Sequence, residues 1–320
     1  MSKPIQRPLG ASGITVAPLA LGGNVFGWSV KDAAGAGKLL DAFVEGGFNL
    51  IDTADVYPAW VPGNRGGESE ALIGQWLKTS GKRDQVVLAT KVAKWGERPG
   101  LSPDNIEAAV DDSLRRLQTD YIDLYQAHED DTSIPLEATL GAFSRLIQKG
   151  KVRAIGASNY SAERLAEAFK VSQEQGLPRY ESLQPEYNLY DRAGYEDELE
   201  PLVKAENIAV ISYYALASGF LSGKYRQESD AAKSAARGAQ VVKRYLNPRG
   251  KAILAALDEV AAAQRATLAQ VALAWLMARD SVTAPIASAS NVEQLQDIMK
   301  AAALQLTADQ LQALDQASAG

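Results

Sequence analysis

Cysteine is absent from the 320-residue chain. Its absence excludes disulfide staples, thiol nucleophiles, iron–sulfur clusters and thiolate zinc sites, and it suits a reducing compartment. Histidine occurs once, at His128, so no histidine-rich metal site can be assembled and any chemistry that needs an imidazole has a single candidate. Positive charge is not in excess. With 33 basic and 39 acidic residues the formal net charge is −6, which offers no attraction to nucleic acid or to an anionic membrane surface. A spanning segment is missing too. Residues 8–30 carry no charge, but Gly10, Gly13, Pro18, Gly22, Gly23, Asn24 and Gly27 break them too often for a membrane helix. Lys3 and Arg7 are not followed by a compact apolar run with a cleavage site, so a cytoplasmic protein is expected.

What is present suits a soluble globular chain with a large core: 46% hydrophobic and 22% charged residues. At ~150 residues per domain the length suggests roughly two, yet an α/β barrel uses ~250 or more as one unit. Short apolar runs alternate with longer amphipathic ones. Strands are expected at 48–52, 86–92, 121–128, 152–157, 182–185, 208–213 and 282–287, with 14–21 opening the series and bringing the total to about eight. Helical stripes separate them. Ser102 and Pro103 form a cap and first turn ahead of Ile106, Val110, Leu114 and Leu117, and Leu136, Leu140, Phe143 and Ile147 make a second stripe that stops at Gly150. No G-x-G-x-x-G fingerprint follows the early strands, which weakens an open doubly wound sheet. The expectation is one (β/α)8 barrel spanning residues 1–320, with working residues at the C-terminal ends of its strands.

Polar residues collect at those ends. Asp52 closes the second strand, with Tyr57 in the loop after it; Lys91 lies inside the third, and His128 ends the fourth. A lysine within an apolar strand is costly unless paired, and Asp52 is its natural partner. Each alone has a plain reading as an ion pair or as packing; together they point to a site. A tyrosine hydroxyl with a pKa of ~10 is a weak acid at pH 7. A neighbouring ammonium favours its phenolate, a carboxylate holds that ammonium, and an imidazole can donate to a carbonyl oxygen. The set can polarise a C=O and protonate it as hydride arrives, and the hydride must come from a cofactor. A strand-end lysine in a barrel equally suits a Schiff-base aldolase acting through Lys91. Glu129, Asp130 and Asp131 read as a solvated loop and not as a metal cage, so no metal is expected.

Several segments resemble the aldo-keto reductase family, in order and across nearly the whole chain. They are residues 48–57 (FNLIDTADVY), 67–74 (GESEALIG), 150–159 (GKVRAIGASN) and 306–311 (LTADQL). The resemblance implies a (β/α)8 barrel that reduces aldehydes or ketones with a nicotinamide cofactor, with Asp52, Tyr57, Lys91 and His128 as a catalytic tetrad and Tyr57 as the acid. By the same resemblance Ser158, Asn159 and Gln184 hold the nicotinamide carboxamide, whose donor and acceptor their side chains complement. Tyr213 stacks on the nicotinamide ring. Gly219, Leu221, Gly223 and Lys224 belong to the pyrophosphate loop, and Ser288, Ser290 and Gln294 to the adenosine end. Where the family often carries an arginine for the 2′-phosphate this chain has Asn291, with Ile298 at a later asparagine position. NADPH is expected, with Arg226, Lys243 or Arg244 as helpers, and Asn291 leaves NADH open. Asn24, Trp28, Val56, Trp60, Trp95 and Tyr125 are candidates for the wall that receives a small-molecule carbonyl or alcohol. A second function within the same resemblance is a redox-sensing or regulatory barrel with slow turnover.

Overall fold

The computed structural model describes residues 3–319, so the outermost ends of the expected 1–320 unit lie outside the described residues. Eight strands form one parallel sheet: β1 Ala20–Gly22, β2 Leu50–Asp52, β3 Val87–Val92, β4 Ile122–Ala127, β5 Val152–Ser158, β6 Tyr180–Gln184, β7 Ala209–Val210 and β8 Ile286–Ala287. Each strand from β1 to β6 pairs with the next, and β8 pairs with β1 through Ile286 opposite Ala20. Between β7 and β8 the seam is joined by single hydrogen bonds: Ala284 N–H donates to Val210 O (3.1 Å) and Ile286 N–H to Ser212 O (2.8 Å). The sheet thus curls into the expected (β/α)8 barrel.

Helices cover the outside: α1 Ala33–Glu45, α2 Glu68–Ser80, α3 Pro103–Leu117, α4 Leu136–Gln148, α5 Ala162–Gln175, α6 Ala193–Glu196, α7 Glu200–Glu206, α8 Gly238–Tyr245, α9 Pro248–Gln264, α10 Leu268–Met277, α11 Val292–Met299 and α12 Ala308–Ser318. None among the described residues is long and apolar enough to cross a membrane. The stripes on α3 and α4 face the sheet, where Ile106, Val110, Leu117, Leu136, Leu140 and Phe143 are all buried. Ser102 caps α3 by accepting from Asn105 N–H (3.3 Å). Gly74 lets α2 lie against α3 at backbone distance, since a side chain there would strike the Arg116 carbonyl.

Strand periodicity divides the core in two. Leu50, Val87, Ala89, Leu124, Ala154 and Ala209 point into the barrel, while Ile51, Leu88, Tyr125, Ile155, Leu183 and Val210 point out beneath the helices. Leu9, Ile14 and Val16 join the inner cluster, because the chain begins as a hairpin that plugs the barrel floor (Arg7 pairs with Val16). The expected first strand, 14–21, is therefore two elements. Pro18 lacks an N–H for the ladder and ends the hairpin, and Ala20–Gly22 enters the barrel.

The floor has its own electrostatic tie. Asp123, almost fully buried, accepts from Arg83 Nη2 (2.8 Å), Arg153 Nη1 (2.7 Å) and the Leu88 N–H (2.9 Å), linking β3, β4 and β5 at the end away from the strand C-termini. Removing one partner of a buried ion pair costs about 3–5 kcal/mol, because the other charge is left unpaired. Asp123→Ala is accordingly expected to lower urea stability by about that amount while steady-state KM values stay at the parent level. A loss under 1 kcal/mol would show that the cluster is no anchor.

Candidate active site

Period-two alternation carries polar side chains into the barrel above its apolar filling. Asp52 on β2, Lys91 on β3, Gln126 on β4 and Gln184 on β6 share the inward face, two residues past Leu50, Ala89, Leu124 and Ser182. Register then makes them neighbours: Asp52 lies opposite Ala89, Lys91 opposite Gln126, and Gln184 opposite Ser158. Lys91 is fully buried and donates to Asp52 Oδ2 (2.7 Å), to Thr53 O (2.8 Å) and toward the Tyr57 hydroxyl (3.5 Å). The other oxygen of Asp52 accepts from Gln184 Nε2 (2.9 Å) and Gln126 Nε2 (3.2 Å), so both of its oxygens are engaged.

Burial pulls the Lys91 ammonium down, but the Asp52 carboxylate and the Tyr57 oxygen outweigh it and hold it above its ordinary value. A lysine kept charged and sealed from solvent is no nucleophile, which counts against the Schiff-base reading. Tyr57 departs from expectation. Burial raises its hydroxyl above the usual value, and Lys91 offsets this only in part, with Asp52 working against it. His128 is pushed well below the usual imidazole value by burial and by the Lys91 and Lys94 charges, so it is neutral at pH 7. Its Nδ1 is buried without a partner, leaving Nε2 to reach the cavity, and its ring meets Tyr57 edge-on with centroids 5.7 Å apart.

These side chains face a cavity of about 1180 Å³ at the C-terminal ends of the strands. Asp52, Tyr57 and His128 line it, and so do Ser158, Asn159, Gln184, Tyr213, Gly219, Lys224, Ser288, Ser290, Gln294, Asn24, Trp28, Val56 and Trp60. Lys91 stands behind Asp52 and Tyr57. Two neighbouring parts of the rim meet where Ser288 Oγ donates to Asn24 Oδ1 (2.7 Å), bridging the loops after β8 and β1.

Comparison with known proteins places this geometry. Residues 18–319 match the Aldo/keto reductase family. The chain belongs to the aldo/keto reductase family. It is 32% identical to the uncharacterized oxidoreductase YrpG of Bacillus subtilis (strain 168), over 96% of this chain and 94% of that one. It is also 32% identical to a probable voltage-gated potassium channel subunit beta of Arabidopsis thaliana (92% and 90% covered) and 37% identical to the aldo-keto reductase YhdN of B. subtilis (68% and 62% covered). Aldo/keto reductases are NAD(P)H-dependent carbonyl oxidoreductases, and this chain is an oxidoreductase of that kind using a nicotinamide cofactor.

The cavity's donor set fits such a cofactor. Ser158 Oγ donates to Gln184 O (2.8 Å), Asn159 Nδ2 to His128 O (2.8 Å), and Tyr213 OH to Asn159 Oδ1 (2.9 Å). Gln184 Oε1 and the second lone pair of Asn159 Oδ1 remain as acceptors for a primary amide. Further along, Ala217, Ser218 and Gly219 run left-handed in succession (φ 47°, 56° and 92°); the Ala217 and Gly219 N–H groups are spent on the Tyr214 and Leu216 carbonyls (2.7 and 2.9 Å), and the space beside the Gly219 Cα is open.

Not every sequence-based candidate reaches this reductase's cavity. Leu221 is buried in the core, and Gly223 makes a left-handed turn (φ 77°) whose missing side chain leaves room for Arg226 and Leu268. Trp95 turns away to donate to Arg65 O (2.7 Å) beneath the Arg116 guanidinium. Tyr125 points outward and packs edge-on against Phe143. Arg226 is paired with Asp258, and Arg244 with Glu186 and Asp191, and neither lines the cavity. Asn291 caps α11 by accepting from Gln294 N–H (2.9 Å). Glu129, Asp130 and Asp131 separate, toward Lys94, Arg164 and the Leu101 N–H. Sequence reading missed Lys94, Tyr214, Ser218, Arg237 and Gln240, all lining the cavity. Tyr214 and Ser218 adjoin residues that motifs had flagged; Arg237 and Gln240 carry no local signal.

Behind the site lies Asp55, fully buried, with no well-formed hydrogen bond to either side-chain oxygen. Burial, reinforced by the Glu70 charge, pushes its carboxyl up to about 8 against weaker pulls from Arg116 and Lys91. An unfolded aspartate titrates near ~3.9. The folded state therefore binds more protons between the two values, and stability falls as pH rises from about 4 to about 8. Asp55→Asn should raise Tm relative to the parent by clearly more at pH 9 than at pH 5 in thermal melts; an equal difference at both would show that Asp55 ionises freely.

Proposed function

We propose that this aldo/keto reductase interconverts a small aldehyde or ketone and its alcohol with NADPH, Tyr57 being the proton donor in the direction of reduction. The observation that carries the reading is the buried line from Asp52 through the Lys91 ammonium (2.7 Å) to the Tyr57 hydroxyl (3.5 Å), with neutral His128 beside it. A carbonyl oxygen seated between the Tyr57 hydroxyl and His128 Nε2 would receive a hydrogen bond from each. A bound nicotinamide would supply the hydride. Tyr57 then gives its proton to the forming alkoxide, and Lys91, oriented by Asp52, stabilises the phenolate left behind. A hydroxyl raised by burial keeps its proton until that moment, so Tyr57 starts as an acid and not as a phenolate.

Ser158, Asn159 and Gln184 would hold the carboxamide, with Tyr213 offering a ring face beside it. Gly219, beside which the space is open, and Lys224 would face the pyrophosphate; Ser288, Ser290 and Gln294 suit the adenosine end. Family membership supports NADPH. Asn291 caps α11 through its Oδ1, and its neutral amide offers the 2′-phosphate no charge where the family often has an arginine, so preference over NADH should be modest. The lack of cysteine supports a cytoplasmic setting. A regulatory barrel with slow turnover is the second reading, favoured by the relative named as a channel subunit. NADPH oxidation that no carbonyl accelerates would select it.

Tyr57→Phe is expected to lower kcat on the order of 10²–10⁴-fold. The Kd for NADPH, followed by tryptophan fluorescence, should stay within about twofold, because the phenol acts on the carbonyl and not on the nucleotide. Near-parental kcat would remove Tyr57 from the role of acid. In kcat/KM measured with both nucleotides NADPH should be the better, and a large preference for NADH would overturn that choice.

A further inference from the structure

The cavity's aromatic wall runs outward from the Tyr57 hydroxyl. Tyr57 meets Trp60 edge-on at 5.6 Å between centroids, Trp60 meets Trp28 at 5.9 Å, and the Arg237 guanidinium lies over the Trp28 ring at 4.5 Å. Arg237 ends a path that starts at the proton donor. The other arginines of the segment between β7 and α9 are committed to carboxylates, Arg226 to Asp258 (2.7 Å) and Arg244 to Glu186 (2.8 Å) and Asp191 (2.9 Å). Arg237 has no carboxylate partner among the described residues.

The charge around it is one-sided. Among the described residues the one carboxylate lining the cavity is Asp52, already bonded to Lys91, Gln126 and Gln184. The cations lining it are Lys94, Lys224 and Arg237. Lys94 leans on Glu129 (3.4 Å), and Lys224 lies over the Tyr225 ring (5.4 Å). This leaves a cationic mouth on a chain whose net charge is −6. A guanidinium stacked on an indole is held in plane while its N–H edge stays free, the geometry that grips a carboxylate with two parallel hydrogen bonds. Its anchor is firm. Gly238, the next residue, packs against the Ala231 carbonyl with no room for a side chain.

We propose that the preferred substrate is a carbonyl compound bearing a carboxylate beyond a flat apolar spacer, the carboxylate bound by Arg237 and the spacer lying along Trp60 and Trp28. The inference rests on the carbonyl-reductase reading and names its substrate class. It is tested with 4-carboxybenzaldehyde and the longer 4-formylcinnamate, each against its methyl ester, with NADPH and the full-length protein. The parent is expected to prefer the acids. Arg237→Gln should reduce the acid-to-ester ratio of kcat/KM roughly tenfold, the effect of losing about 1.4 kcal/mol at one charge contact, and Arg237→Lys should restore part of it. The ratio does not depend on how much of a variant folds. The Kd for NADPH should stay within about twofold of the parent's, on the scale where tenfold is 1.4 kcal/mol. An unchanged ratio in Arg237→Gln overturns the proposal. So does an equal loss on acids and esters together with a weakened Kd for NADPH, which would assign Arg237 to the nucleotide. A parent that reduces acids and esters alike, or neither, overturns this inference and keeps the reductase reading, which falls only if no carbonyl accelerates NADPH oxidation.

Discussion

A lysine ammonium sealed inside a barrel is the constraint on which the site depends. Taking such a charge out of water costs several kcal/mol, and only close, complete pairing offsets it. Asp52 on β2 and the Thr53 carbonyl supply that pairing from the neighbouring strand. The pair therefore sets the register of β2 against β3 as much as it prepares chemistry. Gln126 and Gln184 occupy the second oxygen of Asp52, which draws β4 and β6 into the same layer. Gln184 in turn receives Ser158 on its backbone carbonyl, and Asn159 reaches the carbonyl of His128. The candidate proton donor and the candidate nicotinamide holders thus form one connected hydrogen-bond network, so displacement of any strand top would be felt at both.

The two ends of the barrel divide the labour. At the floor, the hairpin plug and the Asp123–Arg83–Arg153 cluster close the core. At the mouth, loops after β1, β2, β7 and β8 build walls that strands alone cannot. Trp28 and Trp60 come from the first two of these, Arg237 from the third and Ser288 from the fourth. The strand-borne part of the site is polar, and the loop-borne wall around it is aromatic and cationic.

Much of this was legible in the sequence, for local reasons. Apolar runs of strand length and helical stripes between them announced the barrel, and each catalytic candidate lies at or just beyond a run's end. The departures have equally physical causes. Pro18 split the first run into a plug and a strand. Tyr125 and Trp95 were read as wall residues from proximity to strand ends, but alternation turns Tyr125 outward and a hydrogen bond to Arg65 O turns Trp95 aside. The expected lowering of the Tyr57 hydroxyl by Lys91 failed because burial, which no local pattern reports, is the larger effect.

The sequence by itself determined the alternation of elements, the inward parity of Asp52, Lys91 and Gln184, and membership in a family of barrels, because periodicity and motif spacing are properties of neighbouring residues. Only the tertiary structure decided which charges are spent and which are free. Arg226, Lys243, Arg244 and Arg237 look alike along the chain. Folding gives two of them carboxylates from distant elements, Asp258, Glu186 and Asp191, and lays Arg237 on Trp28, a residue 209 positions earlier. An ion pair depends on distance in space, and for residues so far apart in sequence that distance exists only once the barrel has closed.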